Sequence, residues 1–283
     1  MNLIAAIESR LGTGWSIAGE LGTGATSRVY LATREGRDRV VVKVMKSGAA
    51  SEERSQHFLL EMQILQKMSH PNIVPLSDAG EAHGVLFFTM PLIEGETIRE
   101  RLRRDGALPV ADAARIARDI ALALGHVHSN GVVHRDVKPE NILLSPAGAI
   151  LLDFGHARAP ALAPQGDSRD AKRYIVGTAN YVSPEQVAGR RVEDSRSDLY
   201  SLGCVLMEML TGAVPFAASS PRETMQLRLD APLPDVRTVR SDVPDDLAAV
   251  LKRALTVDPA ERYPTAGLMA EALSAVLEMM PVG

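Results

Sequence analysis

The chain has 283 residues, 46% of them hydrophobic, with 31 Lys and Arg against 35 Asp and Glu for a formal net charge of −4. That length can bury a large core, lies between one big domain and two small ones, and suits a two-lobed domain. The charges form no long single-sign runs, so nothing points to nucleic acid or a membrane surface as partner, and no window reaches the roughly 20 apolar residues that span a bilayer. The single cysteine, Cys204, lies in an apolar stretch and has no partner for an intramolecular disulfide. It reads as a small buried hydrophobe in a reducing compartment. The N-terminus has no basic region followed by a long apolar one, so the expectation is a soluble, cytoplasmic chain.

In chain order, Leu3, Ile4, Ile7 and Leu11 fall at helical spacing and predict a short helix over residues 3–11, packed on the first lobe. Strand-like runs follow at Trp15–Leu21, Arg28–Thr33 and Arg39–Lys46, broken by Gly22-Thr23-Gly24 and Glu35-Gly36, as in an antiparallel meander. Residues 52–68 turn to helical periodicity, with Phe58, Met62, Leu65 and Met68 on one face, until His70-Pro71-Asn72 stops the helix. Two further strands, about 73–80 and 85–91, complete a small β-rich lobe. After Glu94-Gly95 the pattern becomes helical, with helices expected at 97–105, 110–130, about 184–190, 197–212, 221–229, 244–256 and 265–279. The stretch from Ala159 to Gly166 has neither periodicity and is rich in breakers, which predicts a loop.

One segment carries the chemistry. His134-Arg135-Asp136-Val137-Lys138-Pro139-Glu140-Asn141 is followed, after the apolar run Ile150-Leu151-Leu152, by Asp153-Phe154-Gly155. It offers a base, a cation and two hard oxygen ligands. Mg²⁺ takes few protein oxygens, so the Asn141 amide and the Asp153 carboxylate suit it, with nucleotide phosphates completing the shell. At roughly one in twenty per position, His, Arg, Asp, Lys and Asn at these offsets arise by chance with a probability of order 10⁻⁴. Upstream, Leu21, Gly22, Gly24, Ser27 and Val29 lie in and around a glycine-containing turn between two strands, where small residues let main-chain N–H groups approach a phosphate. A plain hairpin turn would look the same. Lys43 sits inside Val40-Val41-Val42-Lys43-Val44, where alternation alone would allow a solvent-facing charge.

The His134–Asn141 and Asp153–Gly155 segments resemble the catalytic loop and metal-binding motif of protein kinases, and Lys138 resembles the serine/threonine branch of that family. The resemblance extends over nearly the whole chain and implies an α+β, bilobal kinase fold as a single domain, 1–283. The N-lobe would be a small antiparallel β-rich lobe (about 15–92) with one regulatory helix. A hinge (about 91–95) and a larger, mainly helical C-lobe (about 96–280) would follow, with 1–14 as an N-terminal extension. It further implies that Asp136 orients or accepts the proton of a substrate Ser or Thr hydroxyl, that Lys138 neutralises the γ-phosphoryl, and that Asn141 and Asp153 hold Mg²⁺, with Mn²⁺ as the alternative ion. Lys43 would grip the ATP phosphates, held by Glu61. Adenine would meet the main chain at Pro91 and Ile93 beside a gatekeeper, Met90, and lie between Val29, Val41 and Leu143. Val41 stands where the family usually has Ala, which narrows the adenine roof, and Ser27 replaces the third glycine of the family's loop.

The same resemblance makes Gly177-Thr178-Ala179-Asn180-Tyr181-Val182-Ser183-Pro184-Glu185 the substrate-docking end of an activation segment, with Thr178 contacting Asp136 and Lys138. It pairs Glu185 with Arg262 and sets Asp198 against the backbone near Arg135. Phe154 and His134, with Leu65 and Leu76, match an apolar stack joining the lobes, and Gly155 completes the metal motif. Between Asp153 and Thr178 there is no threonine. Asp170 is therefore expected to pair with Arg135 in place of a phosphothreonine, although a solvated loop aspartate is an equal alternative, and Ser168 remains as a phosphosite. The implied activity is ATP-dependent phosphorylation of protein Ser/Thr hydroxyls in bacterial signalling, with ATP and protein substrates as partners. Two other activities stay open on this fold: a pseudokinase that only binds ATP, and a small-molecule phosphotransferase. The sequence does not specify oligomeric state, and many bacterial relatives carry a membrane helix or further domains after the kinase.

Overall fold

The computed structural model describes residues 3–24, 27–34, 38–46, 52–157, 159, 180–188 and 194–280. The chain divides into two compact units, residues 1–70 with 74–94, and residues 71–73 with 95–283.

The first unit opens with α1 (Leu3–Leu11), then β1 (Trp15–Thr23), β2 (Ser27–Arg34) and β3 (Asp38–Met45), the helix α2 (Glu52–Gln66), and β4 (Asp78–Ala82) and β5 (Val85–Pro91). The strands form one antiparallel sheet in the order β1-β2-β3-β5-β4. Residues directly opposite in an antiparallel pair point to the same face, and the period is two. The register Val29↔Lys43↔Phe88 and Leu31↔Val41↔Met90 therefore puts Val29, Val41, Lys43, Phe88 and Met90 on one face. The opposite face carries Tyr30, Ala32, Val42, Val44 and Phe87, packed with Ala6 and Ile7 of α1. Ile7 is 1% exposed, so the N-terminal helix is part of this unit's core and not an appendage. Glu8 Oε1 accepts the Ile17 N–H at 2.7 Å and ties α1 to β1. On the Lys43 face, α2 lies against β4 and β5, and Phe58 meets Phe88 at a ring-centroid distance of 6.4 Å. Phe58, Met62, Leu65 and Met68 are all buried, as their spacing predicts.

The expected strand at 73–80 is corrected. Pro75 has no N–H to give a ladder, so the strand begins only at Asp78. Val74 and Leu76 are buried without strand pairing. Ile73 instead bridges Leu151 in the second unit, where Asn72 also donates to the Ala149 carbonyl and accepts from the Leu151 N–H.

The second unit contains β6 (Glu96–Thr97), α3 (Ile98–Asp105), α4 (Val110–Ser129), β7 (Ile142–Ser145), β8 (Gly148–Leu151), α5 (Pro184–Val187), α6 (Arg196–Thr211), α7 (Pro221–Asp230), α8 (Val236–Val239), α9 (Asp245–Ala254) and α10 (Ala266–Met279). Thr97 and Glu100 form a capping box that starts α3, each satisfying the other's backbone N–H. α6 is buried from Ser197 to Leu210 and packs on α4 and α9. A Cβ on Gly203 would come within 3.0 Å of Leu255, so α6 and α9 meet at a glycine contact. β6, β7 and β8 form a small antiparallel sheet that the sequence pattern did not predict. Its strands of two to four residues are too short to express a period. Among the described residues no helix is long and apolar enough to cross a membrane.

Candidate active site

The segment from His134 to Asn141 joins α4 to β7, and its shape is imposed by α6. Asp198, 1% exposed, accepts the backbone N–H of His134 at 2.8 Å and of Arg135 at 2.7 Å, and its Oδ2 also meets His128 Nε2 at 2.9 Å. Burial raises the Asp198 carboxyl, but His128, His134 and the Arg135 N–H more than offset this and hold it below the usual carboxylate range. Arg135 has φ 68°, a left-handed conformation that a residue with a Cβ adopts at a cost of about 1–2 kcal/mol. The two hydrogen bonds to Asp198 hold that strained turn in place.

Asp136 follows directly. It is 2% exposed, and its Oδ2 accepts from Lys138 Nζ at 2.6 Å and from Asn141 Nδ2 at 2.8 Å. The same Asn141 Nδ2 donates to the Asp136 carbonyl at 2.8 Å, which turns the amide oxygen the other way. The Asp136 N–H donates to His134 Nδ1 at 3.3 Å, and His134 Nε2 donates to the Leu152 carbonyl at 2.9 Å, a network that sets the Nε2–H tautomer. The His134 ring also stands edge-on to Phe154, centroids 5.0 Å apart. Asp153 follows β8 with φ 65°, and its Oδ1 accepts the Gly155 N–H at 3.1 Å. The Leu152 N–H donates to the Asn141 carbonyl at 2.8 Å, joining the two segments that carry the candidate metal ligands.

The donor set fits a hard divalent ion. Asn141 has an amide oxygen directed away from Asp136, and Asp153 has a carboxylate; both are oxygen ligands. Among the described residues no three His, Cys, Asp or Glu side chains gather into a metal site. An ion held here would depend on two protein oxygens and on those of a phosphate ligand.

In the first unit, Lys43 is 6% exposed on the sheet face it shares with Val29, Val41 and Met90, and Glu61 is 6% exposed on α2. Lys43 is thus not the solvated strand lysine that alternation alone would allow. Leu21 is 53% exposed beside a register break between Glu20 and Gly22. A Cβ would meet nothing within 4 Å at Gly22, and at Gly24 only ordinary contacts with Ser27, itself buried at the start of β2. Pro91 and Ile93 are half-buried, and Leu143, on β7 of the second unit, is buried. The turn at Glu35-Gly36, the loop 160–166, Ser168, Asp170 and Thr178 lie outside the described residues, as do residues 189 and 190.

Glu185 and Arg262 form a bidentate pair, both contacts 2.8 Å, with side chains 3% and 0% exposed. Several residues missed in the sequence complete this region. Ser197 Oγ donates to Glu185 at 2.6 Å. Arg99 binds Glu140 at 2.7 Å, Glu208 at 2.6 Å and the Tyr181 hydroxyl, which itself donates to Glu208 at 2.6 Å. Glu140 and Tyr181 lie in motifs legible in the sequence, but nothing there indicated that both meet Arg99.

The profile of the Protein kinase domain family matches residues 15–274. The chain is 41% identical over 267 residues to serine/threonine-protein kinase PknB of Mycolicibacterium smegmatis, covering 91% of this chain and 42% of that protein. It is 39% identical over 257 residues to serine/threonine-protein kinase PknD of Mycobacterium tuberculosis, covering 88% of this chain and 38% of that protein. It therefore spans about two-fifths of the length of these curated relatives. Among solved structures, Rad53 1–466 in complex with AMP-PNP superposes with a TM-score of 0.76 at 26% identity, over 94% of this chain and 66% of that one. With the profile matching nearly end to end on an α+β fold whose loop is organised around Asp136, the chain belongs to the protein kinase domain family, in its bacterial serine/threonine branch.

Proposed function

We propose that this domain transfers the γ-phosphoryl group of ATP to serine and threonine hydroxyls of proteins, with Mg²⁺ as the ion, in the cytoplasm. The observation that carries the proposal is the Asp136 carboxylate, buried and gripped by both Lys138 and Asn141 on a loop whose backbone is held by Asp198. A carboxylate so placed accepts a proton from an incoming hydroxyl as the oxygen–phosphorus bond forms and the bond to the β-phosphate oxygen breaks, releasing ADP. Lys138 supplies positive charge beside the transferring group, and the fixed loop supplies orientation. A bound Mg²⁺ would spread the negative charge of the phosphates, with Asn141 and Asp153 as its protein ligands.

In the first unit, Gly22 and Gly24 have room for a side chain and no left-handed φ. Neither packing nor backbone strain explains their small size; a phosphate passing close to this turn, whose Gly24 N–H is given to the Ser27 carbonyl at 2.9 Å, does. Lys43, with Glu61, serves the ATP phosphates, and Leu21, Ser27, Val29, Val41, Met90, Pro91, Ile93 and Leu143 serve the rest of the nucleotide.

The test is transfer of labelled γ-phosphate from ATP to a generic basic protein, with and without chelator, followed by identification of the labelled amino acid. Chelator-sensitive label on serine or threonine is expected. ATP binding without transfer would favour a pseudokinase, and transfer only to a sugar, choline or aminoglycoside would favour a small-molecule phosphotransferase.

A further inference from the structure

Arg228 on α7 is 0% exposed. Burying a guanidinium is expensive, and an apolar side chain of similar volume would fill the same space at less desolvation cost. What arginine alone supplies is a rigid fork of donors. Two arms of that fork go to main-chain carbonyls: Nη1 donates to Val182 O, and Nη2 to Asn180 O at 2.8 Å. Its Cζ also lies 5.8 Å from the Tyr200 ring centroid, and Arg262 Cζ lies 4.9 Å from the same ring. The carbonyl between the two, of Tyr181, accepts from Ser201 Oγ at 2.8 Å. Three consecutive carbonyls are therefore held by side chains of α6 and α7.

The other side of this short segment faces the catalytic loop. The Tyr181 hydroxyl accepts from Arg99, and Arg99 binds Glu140, two residues past Lys138 and next to Asn141. Residues 180–182 thus have two anchors, one on α6 and α7 and one on the loop that carries Asp136. Immediately after them, Ser183 and Gln186 form the capping box of α5, and Glu185 enters its pair with Arg262. A turn fixed at three consecutive carbonyls, and tied through Tyr181 and Arg99 to the loop that carries the candidate base, is a rigid edge on which an acceptor polypeptide can be laid.

We propose that Arg228 is a positioning residue for the protein substrate, fixing the backbone of residues 180–182 relative to Asp136. It acts through that segment and touches neither nucleotide nor phosphoryl group. The inference rests on the protein-kinase function proposed above.

The test uses Arg228→Met and Arg228→Lys in the whole chain, with steady-state kinetics for acceptor protein and for ATP, and amide hydrogen exchange. For the Met variant the acceptor KM is expected to rise about tenfold, the scale of losing charge-assisted hydrogen bonds that order a segment, while the KM for ATP moves less than twofold. The Lys variant keeps the charge but loses the fork, and should recover only part of the acceptor KM. Exchange should rise in residues 180–188 and stay unaltered in α9 and α10. An unaltered acceptor KM with unaltered exchange at 180–188, or parallel increases in both KM values, would overturn the proposal. If the Met variant does not fold, the Lys variant and Ser201→Ala carry the same comparison. If the wild type transfers no phosphate to protein, the kinase function falls, and the exchange measurement still decides whether Arg228 fixes the segment.

Discussion

Replacing Glu185 by Gln should be among the most destabilising single-atom changes available in the second unit. All five N–H donors of Arg262 are used: two on the Glu185 carboxylate, and the rest on the Thr256, Arg196 and Val257 carbonyls. With Arg262 at 0% side-chain exposure, Glu185→Gln leaves a buried cation among carbonyl dipoles without the carboxylate that pairs with it. Breaking a buried pair in this way costs about 3–5 kcal/mol. A domain of this size shifts by about 2–4 °C per kcal/mol, so the melting temperature should drop by roughly 6–20 °C. Arg262→Met should cost a similar amount, since it strands the carboxylate and removes the cation against the Tyr200 ring. The double variant removes both charges and should cost less than the sum of the two, with a coupling of about 2–3 kcal/mol. Urea unfolding followed by circular dichroism measures all three. Single variants within about 1 kcal/mol of wild type, or strict additivity, would refute the reasoning.

The pair also has a pH signature. Burial raises the Glu185 carboxyl, but hydrogen bonds from Arg262, its charge and the Ser197 hydroxyl outweigh that and leave it below its ordinary value. A depressed folded-state value contributes stability that is present above the unfolded value, about 4.3, and is lost as pH falls through the folded one. The stability difference between wild type and Glu185→Gln should therefore be constant near neutrality and shrink below about pH 4.

Two further predictions concern groups away from the candidate site. Burial pushes the Cys204 thiol up to about 11, and the side chain is 0% exposed, so the native protein should not react with a thiol reagent at pH 8 and the urea-unfolded chain should react with one equivalent. Rapid native labelling would contradict the packing of α6. Ile7→Ala removes a side chain that is 1% exposed between α1 and the outer sheet face, so it should cost about 2–4 kcal/mol in chemical denaturation. An effect under about 0.5 kcal/mol would mean that α1 is dispensable to the first unit.

How much of this was legible in sequence depended on whether the determining contacts were local. α2, α4 and α10 run long enough for their apolar period to stand out, and the catalytic loop was readable because Asp136, Lys138 and Asn141 meet within six residues. The strands β6 to β8 and the four-residue α8 are too short for a period to repeat recognisably, and the strand expected through Pro75 followed apolar spacing where the missing N–H decided otherwise. The Glu185–Arg262 pair spans 77 residues and was anticipated only through family resemblance. His128 on Asp198, Arg99 on Glu140 and Arg228 on the 180 and 182 carbonyls were invisible for a plainer reason. The first two join side chains 70 and 41 residues apart, the acceptors of Arg228 are main-chain groups that carry no residue signature, and a charged side chain in a helical pattern looks the same whether it faces water or a buried partner.

The measurement that bears most directly on the central claim is a paired one on wild type and Asp136→Asn: ATP affinity by titration calorimetry, and γ-phosphate transfer to protein in the presence of Mg²⁺. Asparagine keeps an acceptor oxygen for Lys138 and Asn141 but cannot take the hydroxyl proton. The account predicts equal ATP affinity and a transfer rate lower by at least about 10²-fold. Equal transfer by the two proteins would contradict it, because phosphoryl transfer would then not run through Asp136.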